Sequence, residues 1–532
     1  MFAIAALIGL YSYLIFLLGI FHLLYKPQLV LFSVFFLCCA VAIHVSKVKR
    51  QKKDFNKILS FPFVLFVLFL LLIQMSVNLI GVLGPELGFD ALWYHLTLPK
   101  LYLLHHKIYF IPGGLLYYSV MPKLTEMLYV AALLFSNEIG AKLIHFFFGV
   151  LTSIAIYSFS KKYTSQKYAF LASLLFYSNL VVAWESITAY IDLARTFFET
   201  LALYGFVRFV EFKKRKWLFL SAAMVGFAIS VKILAFGSLF IFTILLFMYK
   251  KEKLYKSTIT SVLVYWLISN LVVAPWLLFS FVSTGNPFYP FFTNVYKANL
   301  DIHLLNPLQF ILDVGELFLR SADPISPFYA IILPLLIVFY KKFDRATKII
   351  TIYSFLAIVV WYFTPRTGGG RFMLPYLPAF SILSAIAIKN AEHVKVLHKF
   401  LMILVIFIAF ISIGYRFIAN AKYLPVIFGK ETKEHFLANH LSFSYGDFYD
   451  TDGFFKKKIM SNDNVLLYGF HNLYYVNFPF IDSSWVKKGD SFSYIATQNT
   501  NLPKRFDSFK KIYDNSKTKV SVYSDNRKIW RY

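Results

Sequence analysis

The sequence predicts an all-α polytopic membrane protein with about thirteen transmembrane helices, followed by a small C-terminal α/β soluble domain. Three observations predict it. Apolar runs of about 18 residues, each long enough to cross a hydrocarbon core, recur through residues 1–417. Charged residues make up only 15% of the chain, against about 25% in a soluble protein, so most of its surface has to face lipid. From residue 418 to 532 the sequence becomes polar, with short strand-like runs at 464–468 and 493–497.

Composition also excludes several classes. The net charge is +27, from 54 Lys and Arg against 27 Asp and Glu. In a soluble protein that excess points to nucleic acid. Here it marks cytoplasmic loops held against anionic headgroups, so membrane lipids are the expected partner and nucleic acid is not. The two cysteines, Cys38 and Cys39, are adjacent in an apolar run and support neither a disulfide framework nor a zinc site. The N-terminal run begins Met1-Phe2-Ala3 without a basic n-region, and reads as a signal anchor or an ordinary span.

The expected spans lie near 2–25, 29–45, 59–81, 139–158, 169–189, 191–209, 217–230, 233–249, 259–279, 328–340, 349–363, 372–388 and 397–415. One further apolar segment, 121–135, contains Pro122 and is too short to cross. Basic clusters at 47–57, 161–167, 213–216, 250–256, 341–348 and 389–399 test that reading. They share one side only if 121–135 does not cross, which makes it a juxtamembrane or re-entrant helix. The same rule puts the N-terminus in the cytoplasm of a multi-pass plasma (inner) membrane protein, with the tail outside. The outer side then collects loops at about 82–138 and 281–327, and the tail. Within the tail, apolar runs on either side of Asp525-Asn526 predict a terminal hairpin.

Ionisable residues stand at the outer ends of these spans. Asp90 and His95 lie in the aromatic-rich loop Asp90-Ala91-Leu92-Trp93-Tyr94-His95. A partly desolvated carboxylate there suits a general base; it equally suits the N-cap of a short helix to Lys100. Glu126, early in the short apolar helix, has either a task or a partner, and Lys123 one turn away is the available partner. Asp192 ends the turn Tyr190-Ile191-Asp192, as a turn or cap residue or facing Asp90 across a cavity. Lys232 interrupts an apolar hairpin and either snorkels or meets a phosphate. Arg366 and Arg371 frame a triglycine turn, and the guanidinium fork matches phosphate oxygens. The sequence contains no P-loop and no HExxH pattern.

Taken in order, these segments resemble the GT-C membrane glycosyltransferases. The resemblance rests on the Asp90–His95 loop with Pro99-Lys100, on Pro122 and Glu126, and on Ala189-Tyr190-Ile191-Asp192. It continues through Gly226 to Lys232, Thr284-Gly285-Asn286-Pro287 and Arg371-Phe372-Met373-Leu374-Pro375, over residues of about 60–420. Wider relatives are the protein O-mannosyltransferases and the aminoarabinose transferase of lipid A. The resemblance implies a GT-C-like fold and an inverting transfer of sugar from a polyprenyl-phosphate donor to a glycan, lipid or protein acceptor on the extracytoplasmic face. It implies Asp90 and Asp192 as catalytic residues. Tyr94, His95, Glu126, Lys232, Asn286, Arg366 and Arg371 are the implied substrate-binding ones. No organic cofactor is implied; a divalent metal ion on Asp90, Glu126 and Asp192 is an open alternative. The protein mannosyltransferases carry an Asp-Glu pair where this chain has Asp90-Ala91, which leaves the substrate class open. Glu185 and Glu199, nearer the membrane interior, leave open a transporter or flippase for a lipid-linked or small polar solute, and a non-catalytic assembly subunit is the third reading.

Overall fold

The computed structural model describes residues 1–51, 62–249, 255–296, 306–320, 323–364, 366–525 and 529–532. The basic clusters at 47–57 and 250–256 lie partly outside them. Each expected span finds a helix: Phe2–Ile20, Lys26–Gln51, Pro62–Leu83, Glu138–Ser160, Gln166–Tyr177, Asp192–Phe212, Arg215–Val231, Phe236–Tyr249, Tyr255–Thr284, Phe328–Phe339, Arg345–Tyr362, Leu377–Asn390 and Lys395–Ala421. Among the described residues, 8 helical stretches are long and apolar enough to cross a membrane by length and composition alone. The helix Leu124–Phe135 has 12 residues, about 18 Å at 1.5 Å per residue, well short of a ~30 Å hydrocarbon core.

Helix Asp192–Phe212 is the axis of the bundle. Every residue from Asp192 through Leu203 is buried, and Glu138–Ser160, Arg215–Val231 and Arg345–Tyr362 pack around it. Arg215–Val231 lies tight against Tyr255–Thr284, because a Cβ on Gly226 would stand 2.7 Å from the Ser269 carbonyl oxygen. The outermost helices instead expose large apolar side chains, such as Leu31, Phe35 and Leu37 or Ile403, Phe407 and Phe410. Each would be costly in water and is at home in lipid.

One expected span is broken. The run 169–189 forms two helices, Gln166–Tyr177 and Leu180–Glu185. Asn179 at the break donates to the Leu175 carbonyl at 2.8 Å and to the Tyr329 hydroxyl at 2.9 Å, and accepts from the Ser326 N–H at 2.7 Å. Its amide thus satisfies backbone groups that a break inside a bundle would strand. The shorter piece carries Glu185 towards the loop end.

The tail folds as a small α/β domain. Strands β1 (Val465–Tyr468), β2 (Phe480–Asp482), β3 (Ser491–Phe492), β4 (Tyr494–Gln498), β5 (Lys510–Asn515), β6 (Val520–Ser524) and β7 (Trp530–Arg531) make a five-stranded sheet in the order β2-β1-β4-β6-β5, beside a β3-β7 pair. The expected terminal hairpin is not formed. Strand β6 is already paired on both edges, by β4 and β5, so β7 turns to β3. The domain rests on the first long loop, where Lys100 Nζ donates to the Tyr474 carbonyl at 2.7 Å. The tail and that loop therefore share one side of the bundle.

Candidate active site

Charged side chains from separate elements meet at the loop end of the bundle. Asp90 leads into a π-turn, Ala91–His95, in which the Leu96 N–H reaches back to the Ala91 carbonyl at 2.9 Å. Such turns widen the helical ladder and recur where side chains need re-aiming. The Asp90 carboxylate caps no helix; its Oδ2 accepts from Arg371 Nη2 at 2.7 Å. Arg371 Nε lies 3.1 Å from Asp192 Oδ2 and 3.4 Å from Glu185 Oε1. Lys232 Nζ donates to Asp192 Oδ1 at 2.7 Å. Four expected residues, Asp90, Asp192, Lys232 and Arg371, are thus brought together, and Glu185 joins them. Gly369 sits at φ 47°, ψ −131°, a conformation open to glycine and strained for other residues. The triglycine turn delivers Arg371 through it, and Trp361 Nε1 pins the turn by donating to the Gly369 carbonyl at 3.0 Å.

Burial raises the Asp90 pKa, but the Arg371 guanidinium, with His95 and Lys232 beyond it, outweighs burial and holds the carboxyl below its ordinary value. Asp90 is therefore ionised at neutral pH. Neighbouring groups fix the frame. Glu86 Oε1 accepts from the Leu87 and Gly88 N–H groups at 2.8 and 2.6 Å, and its Oε2 from the Ala189 N–H at 2.6 Å. That carboxylate ties the Asp90 loop to the Asp192 turn. His145 Nε2 accepts from the Leu193 N–H at 3.0 Å while Nδ1 lies 2.9 Å from the Glu185 and Thr188 carbonyls. These partners assign the proton to Nδ1.

Other expected residues go elsewhere. His95 Nδ1 and Glu126 Oε1 pair at 2.9 Å, both buried; neither bonds to Arg371 or Lys232, though Glu126 lines the same cavity as Asp90 and Arg371. Burial lowers the His95 pKa, and His95 Nε2 and Glu126 Oε2 have no hydrogen-bond partner. Lys123 is not the partner of Glu126. Asp90, Glu126 and Asp192 therefore do not converge, and no group of three His, Cys, Asp or Glu among the described residues is placed to hold a metal ion. Asn286 closes a turn: Nδ2 donates to the Phe291 carbonyl at 2.8 Å and Oδ1 accepts from the Phe288 N–H at 2.9 Å. It reaches the site only through Pro290 and Phe291, which line the cavity. The side chain of Arg366 lies outside the described residues.

A cavity of about 450 Å³ opens beside the cluster. Asp90, Glu126, Lys232 and Arg371 line it, together with Trp93, Tyr94, Tyr117 and Tyr118. Tyr94 and Tyr118 stack with centroids 3.8 Å apart, and the Tyr117 hydroxyl donates to that of Tyr118 at 2.8 Å. Lys123, 1% exposed, also lines it. It has no hydrogen-bond or ion-pair partner among the described residues; its Nζ faces the Tyr118 ring at 5.9 Å. Burial pulls its pKa down to about 8. The sequence does not give the place of Lys123 in the cavity, although a lysine at the start of an apolar helix is the available signal.

The sequence profile of the dolichyl-phosphate-mannose-protein mannosyltransferase family matches residues 127–279. That stretch contains Asp192 and Lys232 but neither Asp90 nor Arg371. No curated protein matches the chain in sequence. The structure of ArnT from Cupriavidus metallidurans bound to undecaprenyl phosphate is similar, with a TM-score of 0.57 at 13% identity, over 86% of this chain and 98% of that one. The same protein in the apo state gives a TM-score of 0.56 at 12% identity, over 86% and 97%. At that identity the likeness is one of fold. The chain is thus a multi-pass membrane protein with the fold of ArnT, and residues 127–279 resemble the dolichyl-phosphate-mannose-protein mannosyltransferase family.

Proposed function

We propose that the chain is an inverting glycosyltransferase that moves a sugar from a polyprenyl-phosphate donor to an acceptor on the extracytoplasmic face of the membrane. One observation carries the reading. A single cavity holds an ionised carboxylate, Asp90, and a buried lysine, Lys123, that forms no hydrogen bond or ion pair among the described residues, although the charge of Glu126, which lines the same cavity, acts on it. A buried unpaired cation is costly, and a phosphate entering beside Lys123 would complete it with charge-assisted hydrogen bonds. The aromatic lining of Trp93, Tyr94, Tyr117 and Tyr118 gives the sugar an apolar wall. The similar ArnT is bound to undecaprenyl phosphate, and the matching family uses dolichyl-phosphate-mannose, so both point to a lipid-phosphate donor.

The chemistry follows from the geometry. In the resting site Arg371 occupies Asp90 Oδ2. A donor phosphate that draws Arg371 away frees that oxygen to take the proton of an acceptor hydroxyl. The acceptor oxygen bonds to the anomeric carbon from the face opposite the phosphate. The bond from that carbon to the phosphate oxygen breaks, its electron pair leaving with the phosphate, and Lys123, Lys232 and Arg371 stabilise the charge that develops. One displacement inverts the anomeric centre. Asp192, held by both Lys232 and Arg371, keeps the two cations in register. The test is release of free polyprenyl phosphate from polyprenyl-phosphate sugars by the purified protein. Release by the wild type that is lost in Asp90→Asn is expected; release undiminished in Asp90→Asn contradicts the assignment of the base.

A further inference from the structure

The C-terminal domain grips the loop that carries Asp90 on both sides of it. The His471 ring stacks on Phe89, with centroids 4.8 Å apart, and packs against Trp93 at 4.4 Å. Trp93 in turn lines the cavity. The Tyr474 N–H donates to the Leu92 carbonyl at 3.2 Å. Upstream, the Tyr475 hydroxyl donates to the Glu86 carbonyl at 3.0 Å. Downstream, Lys100 Nζ donates to the Tyr474 and Val476 carbonyls at 2.7 and 2.6 Å and to Asn477 Oδ1 at 3.0 Å. One short stretch of the domain, 471–477, supplies all of these contacts.

The position of the His471 ring is set from within that domain. Nδ1 pairs with Asn472 Oδ1 at 2.9 Å, Asn472 Nδ2 donates to Asp447 Oδ1 at 2.6 Å, and Asp447 Oδ2 accepts from the Ser442 N–H at 2.7 Å. A Cβ on Gly446 would stand 2.5 Å from the His471 Cβ, so the backbone closes on it from the other side. The residue thus joins a rigid anchor to the two aromatic side chains that flank Asp90. The loop it meets has its π-turn, Ala91–His95, directly after Asp90.

We infer that the C-terminal domain is a working part of the active site, and that His471 is a positioning residue that sets Asp90 through Phe89 and Trp93. Its catalytic consequence rests on the glycosyltransferase reading; the contact itself does not. A base displaced by about 1 Å loses on the order of a hundredfold in rate, so a ring that holds the base's loop acts on kcat before it acts on donor binding.

The test uses the full-length protein, comparing wild type, His471→Ala and His471→Phe by hydrogen exchange and transfer kinetics. In His471→Ala, exchange over 88–96 is expected to rise while that of Asp192–Phe212 stays constant. Its kcat should fall by about tenfold or more, with donor KM within about twofold. His471→Phe should restore both, because the ring and not its proton does the holding. Unchanged exchange in His471→Ala, or faster exchange with unaltered kcat, overturns the inference. Should His471→Ala fail to fold, Lys100→Met loosens the other end of the grip and is expected to raise exchange over the same residues; no rise would equally overturn it. If the wild type transfers no sugar, the glycosyltransferase reading fails, while the exchange comparison still decides whether the domain holds the loop.

Discussion

Two buried ionic clusters share helix Asp192–Phe212 and differ in character. Deeper in the bundle, Arg195 Nε donates to Glu199 Oε1 at 2.7 Å, and the Ser238 and Tyr353 hydroxyls donate to Oε2. Arg195 Nη2 donates to the Tyr376 hydroxyl at 3.0 Å. Both carboxylate oxygens have donors, and none of these side chains lines the cavity. At the loop end, Arg371 divides itself among Asp90, Asp192 and Glu185. Neither Glu185 oxygen accepts a hydrogen bond, and Lys123 stands unpaired among the described residues beside open space. Buried charge alone therefore does not mark a site. The loop-end cluster differs in having an incomplete set of hydrogen bonds while Asp90, Lys232 and Arg371 line a cavity, which is the ground for the proposed site. Glu199, whose burial keeps a transporter reading alive in the sequence, belongs with the scaffold.

The comparison breaks first at Asp90. Asp90→Asn should lower turnover by about a hundredfold or more, with only a modest fall in melting temperature in detergent, because Arg371 keeps Asp192 and Glu185. Glu199→Ala should do the reverse. It leaves Arg195 buried without its carboxylate and should cost about 3–5 kcal/mol of stability, while turnover per folded molecule changes little. If Glu199→Ala abolishes turnover in folded protein, the two clusters are not separable.

Lys123→Met sharpens the contrast. Removing an unpaired buried cation should leave the thermal midpoint unchanged or raise it, whereas donor KM should rise by about tenfold, the loss of one charge-assisted contact. A fall in the midpoint would mean that Lys123 has a structural partner. The smallest effect is in pH dependence. The Asp90 carboxyl is held below its ordinary value, so its contribution to stability is present above the unfolded-state pKa and is lost as pH falls through the lower folded-state value. The acid limb of kcat/KM should accordingly lie below about 4; a limb near 6 would point to a histidine.

Legibility in the sequence followed chemistry more than distance. Asp90, Asp192, Lys232 and Arg371 were readable because a charge beside an apolar run is rare and has to be satisfied somewhere. Their convergence was readable because each sits at the same end of a span. The His95–Glu126 pair was not, since it depends on how the π-turn aims one ring across the loop. Asn286, which the resemblance implies to be substrate-binding, instead bonds its own turn, a local pairing that the motif does not reveal. The break at Asn179 was hidden inside an apolar run, as its cause is a side-chain amide meeting Tyr329 and Ser326 far along the chain. The terminal hairpin failed because local turn signals ignore a strand already paired on both edges.

In the proposed reaction the unfinished cluster, and not the satisfied one, receives a lipid phosphate. The direct measurement is thermal stabilisation by undecaprenyl phosphate of the wild type, Lys123→Met and Glu199→Ala. The account predicts an upward shift in the wild type and in Glu199→Ala from its lower starting point, and little or none in Lys123→Met. An equal shift in Lys123→Met, or none in the wild type, would contradict it.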